Sequence, residues 1–249
     1  MKISIITSIS NNKETISEAI ESVLSQTYDD LEYIIIDAAS TDGTIDIIKQ
    51  YQDKISIFVS EPDSGIYYGL NKGIALATGE VVGFLHSDDL YQHNNVIEMV
   101  AEVFKNYQVD SVFGDLTYVN NKDTSKVIRY WKSGGFSSKK LRRGWMPPHP
   151  TFFVKRHVYE RAGVFDTSFK IAADYDIILR FLGKYNITTH YIPEVLVKMR
   201  VGGESNKSLR NLLQKSKEDL RAMRNNNTGN LSSLFIKNVI KFPQFMMRK

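Results

Sequence analysis

Two adjacent carboxylates, Asp88 and Asp89 in the stretch GFLHSDDLY, directly follow a run that reads as a buried strand. Side-by-side negative charges repel and cost stability unless a positive partner stands near them. The chain has no cysteine, which excludes disulfides, thiolate metal sites and cysteine nucleophiles, so a metal here is held by oxygen or imidazole. That points to a hard cation. Neither G-x-G-x-x-G nor G-x-x-x-x-G-K-[ST] occurs, so the phosphates of a bound nucleotide have no glycine cradle. A divalent cation on a carboxylate neutralises them instead and leaves coordination positions for phosphate oxygens. Asp89 is then the candidate metal ligand, and Asp88 the candidate hydrogen-bond partner of a ribose.

These residues need a scaffold, and the pattern of the first hundred residues supplies one. Strand-like ISIIT, YIIID, ISIFVS and EVVGFLH alternate with helical spacings over Glu14 to Ser25, Thr44 to Tyr51 and Tyr67 to Ala77. Short apolar runs that do not alternate, separated by helices, predict parallel strands covered on both faces. The fold class expected is α/β, with a mostly parallel central sheet flanked by helices. In open sheets of this kind ligands sit at the carboxyl ends of the strands. Thr7, Asp37, Glu61 with Asp63, and Asp88 with Asp89 end the predicted strands and are expected to converge on one crevice. After a helix over Asn94 to Asn106 come the strand-like SVFGDL and KVIRYW, then a Gly/Pro/Lys/Arg-rich stretch over Ser133 to Pro150 that reads as a lid or acceptor-facing segment. TFFVKR, FKIAADYDIILRFL and THYIPEVLVKMR follow, and from Ser205 a helix leads to the polar break RNNNTGN.

The composition is that of a globular chain, with 42% hydrophobic and 24% charged residues over 249 positions. No run approaches the ~18 uncharged apolar residues of a membrane span, and the N-terminus does not read as a signal peptide. The expected location is cytoplasmic. The formal charge of +4 is uneven: residues 207–249 carry 10 Lys/Arg against 2 Asp/Glu, and residues 1–206 carry 22 against 26. The basic tail lacks stacking aromatics interleaved on a folded face, which argues against nucleic acid as a partner.

Several stretches in order resemble the inverting family 2 glycosyltransferases of the GT-A fold, in particular bacterial enzymes that build capsule, exopolysaccharide or O-antigen. SIITSISNNKETISEAIESVLSQTYDDLEYIIIDAASTDGT resembles the opening nucleotide-binding unit, SEPDSGIYYGLNKGIALATGEVVGFLHSDDLY the middle with the metal motif, and GVFDTSFKIAADYDIILR the catalytic end. The resemblance runs over residues 1–206. It implies a domain with a nucleotide-binding half, 1–115, and an acceptor and catalytic half, 116–206, followed by a basic helical extension, 207–249. It also implies that Thr7 and Asp37 contact the uracil of a UDP-sugar, that Asp88 and Asp89 form the family's acidic pair with the second on Mn²⁺ or Mg²⁺, and that Asp174 is the catalytic base. Asp63 and Arg200 are further candidates for the donor, Arg200 toward the diphosphate or as a surface ion pair. His149 is a candidate third metal ligand or a contact to diphosphate or acceptor, since neutral imidazole ligates well, against a loop histidine with no role. His86 is read as packed at the strand end, Asp176 as structural and Asp42 as a helix cap.

The chain departs from the family pattern at three points. Ala38 stands where many members have a second acid, the proline and aromatic after the first-strand Thr are absent, and Tyr68 replaces an Asp. The function implied is transfer of a sugar from a nucleotide sugar to a saccharide or lipid-linked saccharide acceptor. Two alternatives stay open. One is a sugar-1-phosphate nucleotidyltransferase, which typically opens on a G-x-G-T-R segment that is missing here; the other is a non-catalytic glycosyltransferase-like scaffold subunit. A second copy of the chain, as a homodimer, is a further expected partner. In the tail, Phe235, Ile236, Val239 and Ile240 near Lys237, Lys241, Arg248 and Lys249 suggest an anionic membrane surface as a partner of residues 231–249, or a helix docked on protein.

Overall fold

The computed structural model describes residues 1–202 and 209–240. The expected helix start at Ser205 and the tail residues Lys241, Arg248 and Lys249 lie outside them. The Ile- and Val-rich runs form β1 (Ile3–Ile9), β2 (Leu31–Asp37), β3 (Ile57–Ser60) and β4 (Val81–Phe84), connected by α1 (Ile16–Leu24), α2 (Thr44–Lys49) and α3 (Ile66–Leu76). These four strands are parallel, in the order β3-β2-β1-β4. Successive strand residues feed opposite cores, as the two-residue period requires. Ile6, Ile34, Ile36, Val82 and Phe84 enter one cluster, and Ile3, Ile5, Tyr33, Ile35 and Val81 the other. Burial of both faces is why the runs are continuous rather than alternating.

The second half brings antiparallel pairing. Its elements are β5 (Leu90–Tyr91), α4 (Val96–Asn106), β6 (Ser111–Val119), β7 (Val127–Trp131), α5 (Ser138–Arg142), β8 (Phe153–Lys155), α6 (Arg156–Ala162), α7 (Ala173–Leu179), β9 (Thr189–Arg200), α8 (Leu209–Asn225) and α9 (Leu231–Ile240). β8 inserts antiparallel between β4 and β6, while β9 runs parallel along the other edge of β6 and carries the two-residue β5 on its far side. Two residues leave no periodic pattern, so β5 is not legible in the sequence. The stretch over Ser133 to Pro150 is mostly loop. It contains α5, buries Leu141 and Met146, and fixes Trp145 through a 2.8 Å hydrogen bond to the Ser133 carbonyl.

α3 lies closely against β1 because Gly69 and Gly73, one turn apart, face the strand. A Cβ on the first would overlap the Ser8 hydroxyl, and on the second the Ile6 side chain. The basic extension folds back on the body. Lys237, expected among the membrane-facing cations, is instead buried with its Nζ 2.9 Å from Asp219 and 3.1 Å from the centre of the Tyr175 ring.

Glu32 ties β2 to β1 and to the turn before β4. Its carboxylate accepts from Ser4 Oγ at 2.6 Å, Thr78 N at 2.8 Å and Thr78 Oγ1 at 2.6 Å, with Lys2 Nζ 3.1 Å away. Burial alone would raise its pKa, but these donors outweigh it and hold the carboxyl at about 2. The folded value lies below the unfolded one, so the stabilisation is complete above pH 4.5 and is lost as the pH falls toward 2. Glu32→Gln should flatten the fall in unfolding free energy across that window. Urea titrations at stepped pH measure it, and an unchanged slope rejects the coupling.

Candidate active site

The carboxyl ends of β1, β2 and β4 meet in a laced set of loops. Asn12 donates its main-chain N–H to Thr44 Oγ1 at 2.9 Å and its side-chain amide to Ser87 Oγ at 2.9 Å, and Thr15 Oγ1 donates to the Ser87 carbonyl at 2.9 Å. After β4 the chain turns over His86 to Asp89, closed by Asp89 N–H on the His86 carbonyl at 3.0 Å, and enters β5. Pairing of β5 with β9 brings Arg200 beneath this turn. Its fork donates to the Asn121 carbonyl at 3.1 Å, the Asp88 carbonyl at 2.8 Å and Glu18 Oε2 at 2.6 Å.

Two cavities flank the turn. One, of about 300 Å³, is walled mainly by apolar groups such as Tyr67, Phe84, Phe165 and Ile178, and also by His86, Asp88, His149 and Asp174. The other, of about 380 Å³, is polar, lined by Asn11, Asn12, Lys13, Asp42, Asp88 and Asn121 among others. Asp88 borders both. Asp174, in the first turn of α7, borders the apolar one with its Oδ2 3.3 Å from His149 Nδ1. His149 Nε2 in turn lies 2.8 Å from His86 Nε2. Burial lowers the pKa of both imidazoles, that of His149 to about 4 despite the nearby Asp174 charge, so both rings are neutral at pH 7.

Several expected site residues face elsewhere. Asp89 is fully buried and borders neither cavity; among the described residues neither of its oxygens has a hydrogen bond of good geometry. Burial first, then the Asp88 charge, push its pKa well up, opposed by the main-chain N–H and charge of Arg200. Asp88, its neighbour, is the carboxylate of the pair that borders the cavities. His149 turns its Nε2 to His86 at 2.8 Å and its Nδ1 to Asp174 at 3.3 Å. Arg200 is 3% exposed and donates to the protein groups named above, so it braces the turn.

Thr7 is buried with its hydroxyl on the Leu85 carbonyl at 2.7 Å, joining β1 to the segment after β4. Asp37 is buried too, accepting from Ser40 N at 3.0 Å and Ser60 Oγ at 2.6 Å. Neither lines either of these two cavities. Asp63 caps Gly65 N at 2.9 Å with Oδ1, and its Oδ2 is buried without a partner. Exposed Tyr68 borders neither cavity; the adjacent Tyr67 forms the wall, anchored by its hydroxyl on the Ile171 carbonyl at 2.7 Å. Asp176, read as structural, holds Asn226 Nδ2 at 2.8 Å.

One positioning group escaped sequence reading altogether. Glu218 of α8 accepts the main-chain N–H groups of Lys170, Ile171 and Ala172 at 3.1, 2.9 and 3.0 Å. These are the residues leading into α7, where an anion also complements the helix N-terminus. The available signal was that Glu218 and Asp219 are the only two acids of the basic tail, and both are buried.

Residues 4–168 match the model of glycosyl transferase family 2. The chain is 35% identical over 223 residues to an uncharacterized glycosyltransferase of Nostoc sp., covering 83% of this chain and 66% of that protein, just under two thirds of its length. It is 26% identical over 208 residues to a PGL/p-HBAD biosynthesis glycosyltransferase of Mycobacterium bovis, covering 82% and 78%. Among solved structures, S. aureus TarS 1-349 in complex with UDP-GlcNAc superposes with a TM-score of 0.69 at 19% identity, over 91% of this chain and 65% of that one. The mannosyltransferase PcManGT from Pyrobaculum calidifontis, in complex with GDP-Man and Mn²⁺, gives 0.67 at 19% identity, over 98% and 73%. At such identities these two establish the fold, the GT-A arrangement of a mixed sheet flanked by helices.

The family match ends before α7 and α8, so the Glu218 bridge rests on the geometry alone. Glu218→Ala strands three main-chain donors and should lower stability by about 3 kcal/mol in chemical unfolding, with Glu218→Gln losing less than half of that. Equal losses for the two variants would show that the charge-assisted bridge is not what holds the segment.

Proposed function

The chain belongs to glycosyl transferase family 2 and is a glycosyltransferase; from that premise we propose that it inverts the anomeric centre of a nucleotide sugar, with Asp174 as base. The observation that carries this is the presence of Asp88 and Asp174 on one cavity wall, reached from opposite halves of the chain. A sugar hydroxyl is a weak nucleophile, and a carboxylate at the reacting centre accepts its proton as it attacks. Asp174 Oδ2 faces His149 while the side chain remains 23% exposed, which leaves the carboxylate open to an acceptor. The polar cavity on the other side of Asp88 suits the nucleotide, with Lys13 as a cation and Asn11, Asn12 and Asn121 as hydrogen-bonding groups. Apolar walls around Asp174 exclude water and limit hydrolysis of the donor.

A divalent cation fits this site in one form only. Among the described residues no group of three or more His, Asp or Glu side chains could cage a metal, so the protein would supply Asp88 and the diphosphate and water the rest, as Mg²⁺ and Mn²⁺ accept. When bound, such an ion stabilises the charge that develops on the departing diphosphate. The buried, unpartnered Asp89 would back Asp88 without touching the ion.

The donor we favour is a UDP-sugar, consistent with the UDP-GlcNAc complex of TarS, with a GDP-sugar as the second choice after PcManGT. The acceptor we propose is a saccharide or lipid-linked saccharide of a bacterial surface polymer, with residues 1–206 as the transferase unit and the extension against an anionic membrane surface. Leu231 and Phe235 support that surface, being 63% and 71% exposed. Among the described residues no helix is long and apolar enough to cross a membrane.

Calorimetric titration of UDP with and without Mn²⁺ tests the site. Asp88→Ala should abolish cation-dependent binding, and Asp89→Asn should keep it within about twofold because that side chain is sealed off. The reverse result returns the ion to Asp89. Asp174→Asn should bind UDP normally while turnover over a panel of nucleotide sugars falls by about 10²-fold or more; near-normal turnover removes it as the base.

A further inference from the structure

The pair of half-buried imidazoles beside Asp174 is not used by the transfer chemistry above, and withdrawing two such rings from water, tilted 57° to each other, costs hydration that must be offset by what they bond. With both rings uncharged, their geometry favours one arrangement of protons. His86 Nε2 and His149 Nε2 lie 2.8 Å apart, so a single proton sits between them and one ring donates while the other accepts. His149 Nδ1 is 3.3 Å from Asp174 Oδ2. Were His149 the donor to His86, its bare Nδ1 lone pair would face a carboxylate. With the proton on Nδ1, His149 donates to Asp174 and accepts from His86.

The backbone holds the ring in place. Pro147 and Pro148 precede His149 and Pro150 follows it, which restricts φ on one side and the His149 conformation on the other. Thr151 Oγ1 closes the turn on the Pro148 carbonyl at 2.9 Å.

We infer that His149 is a positioning residue, which in its Nδ1–H tautomer, selected by His86, orients the Asp174 carboxylate so that its second oxygen receives the acceptor proton. This rests on the assignment of Asp174 as the base. The chemical logic is that a lysine or arginine in this place would also orient the carboxylate, but its positive charge would make it a weaker base. An uncharged imidazole N–H aims the group and leaves its basicity largely intact. At 3.3 Å the two atoms are within reach but not aligned as a hydrogen bond, as catalytic contacts in unliganded enzymes often are, and the inferred bond forms as the site closes on its substrates.

Ring-nitrogen NMR of the full chain with labelled histidine at pH 7 reads the tautomer directly, and His149→Asn assigns the signal among the five histidines. We expect Nδ1–H at His149 in the wild type and a shift to Nε2–H, the form favoured by free imidazole side chains, in Asp174→Leu. Nε2–H in the wild type, or indifference to Asp174→Leu, overturns the inference. For turnover of UDP-N-acetylglucosamine or GDP-mannose, His149→Leu should lower kcat on the order of 10²-fold at an unchanged donor KM. His149→Asn, which keeps an N–H donor in nearly the same place, should recover most of it. Equal losses in the two variants also overturn the inference. Failure of the base assignment is separate: it is read from Asp174→Asn retaining turnover, whatever the tautomer.

Discussion

The guanidinium of Arg200 under the turn over His86 to Asp89 is the interaction on which the site depends. Two acids in succession at a strand end would be a liability by charge alone. Here one of them, Asp89, is pressed inward where burial favours its protonated form, and Arg200 takes the Asp88 carbonyl in its fork. The turn is thereby fixed with one carboxylate facing the cavities and the other withdrawn. The same guanidinium reaches Glu18 on α1 and the Asn121 carbonyl after β6, so three separate parts of the chain converge on one planar group. A lysine has too few fixed donors to make those contacts at once.

From that turn the rest of the site is a matter of what faces it. β8 is wedged antiparallel beside β4, which brings the turn at His149 over the end of β4 and sets His149 against His86. α7 then presents Asp174 to the same apolar cavity. A family of sugar transferases needs a polar seat for the nucleotide and a dry space for the displacement. The two cavities divided by Asp88 differ in that way, one lined by asparagines and the other by aromatic and aliphatic groups.

Much of this was legible in the residues. The runs of isoleucine and valine gave the first four strands, because a strand buried on both faces has little choice of composition, and the absent glycine motifs directed attention to carboxylates. Side-chain direction was not legible. Asp88 and Asp89 are neighbours in a turn, and which of them faces outward depends on β5, two residues long, and on its pairing with a strand more than a hundred residues away. Asp37 ends β2 as expected, while β1 runs two residues past Thr7, and the polar atoms of both are taken by Leu85, Ser40 and Ser60. Arg200 read as a ligand-facing cation because its partners lie 79, 112 and 182 residues away along the chain. Polar residues at strand ends announce a crevice, and tertiary contacts decide which of them reach it.

The bridge from Glu218 makes the C-terminal arm part of the machinery it was expected merely to tether. α8 grips the residues leading into α7 through three main-chain donors, and Asn226 at the end of the same arm grips Asp176 inside α7. The arm and the segment that bears Asp174 are thus held together as one unit. Trimming the chain at the edge of the recognisable family segment would discard this clasp together with the acid it steadies.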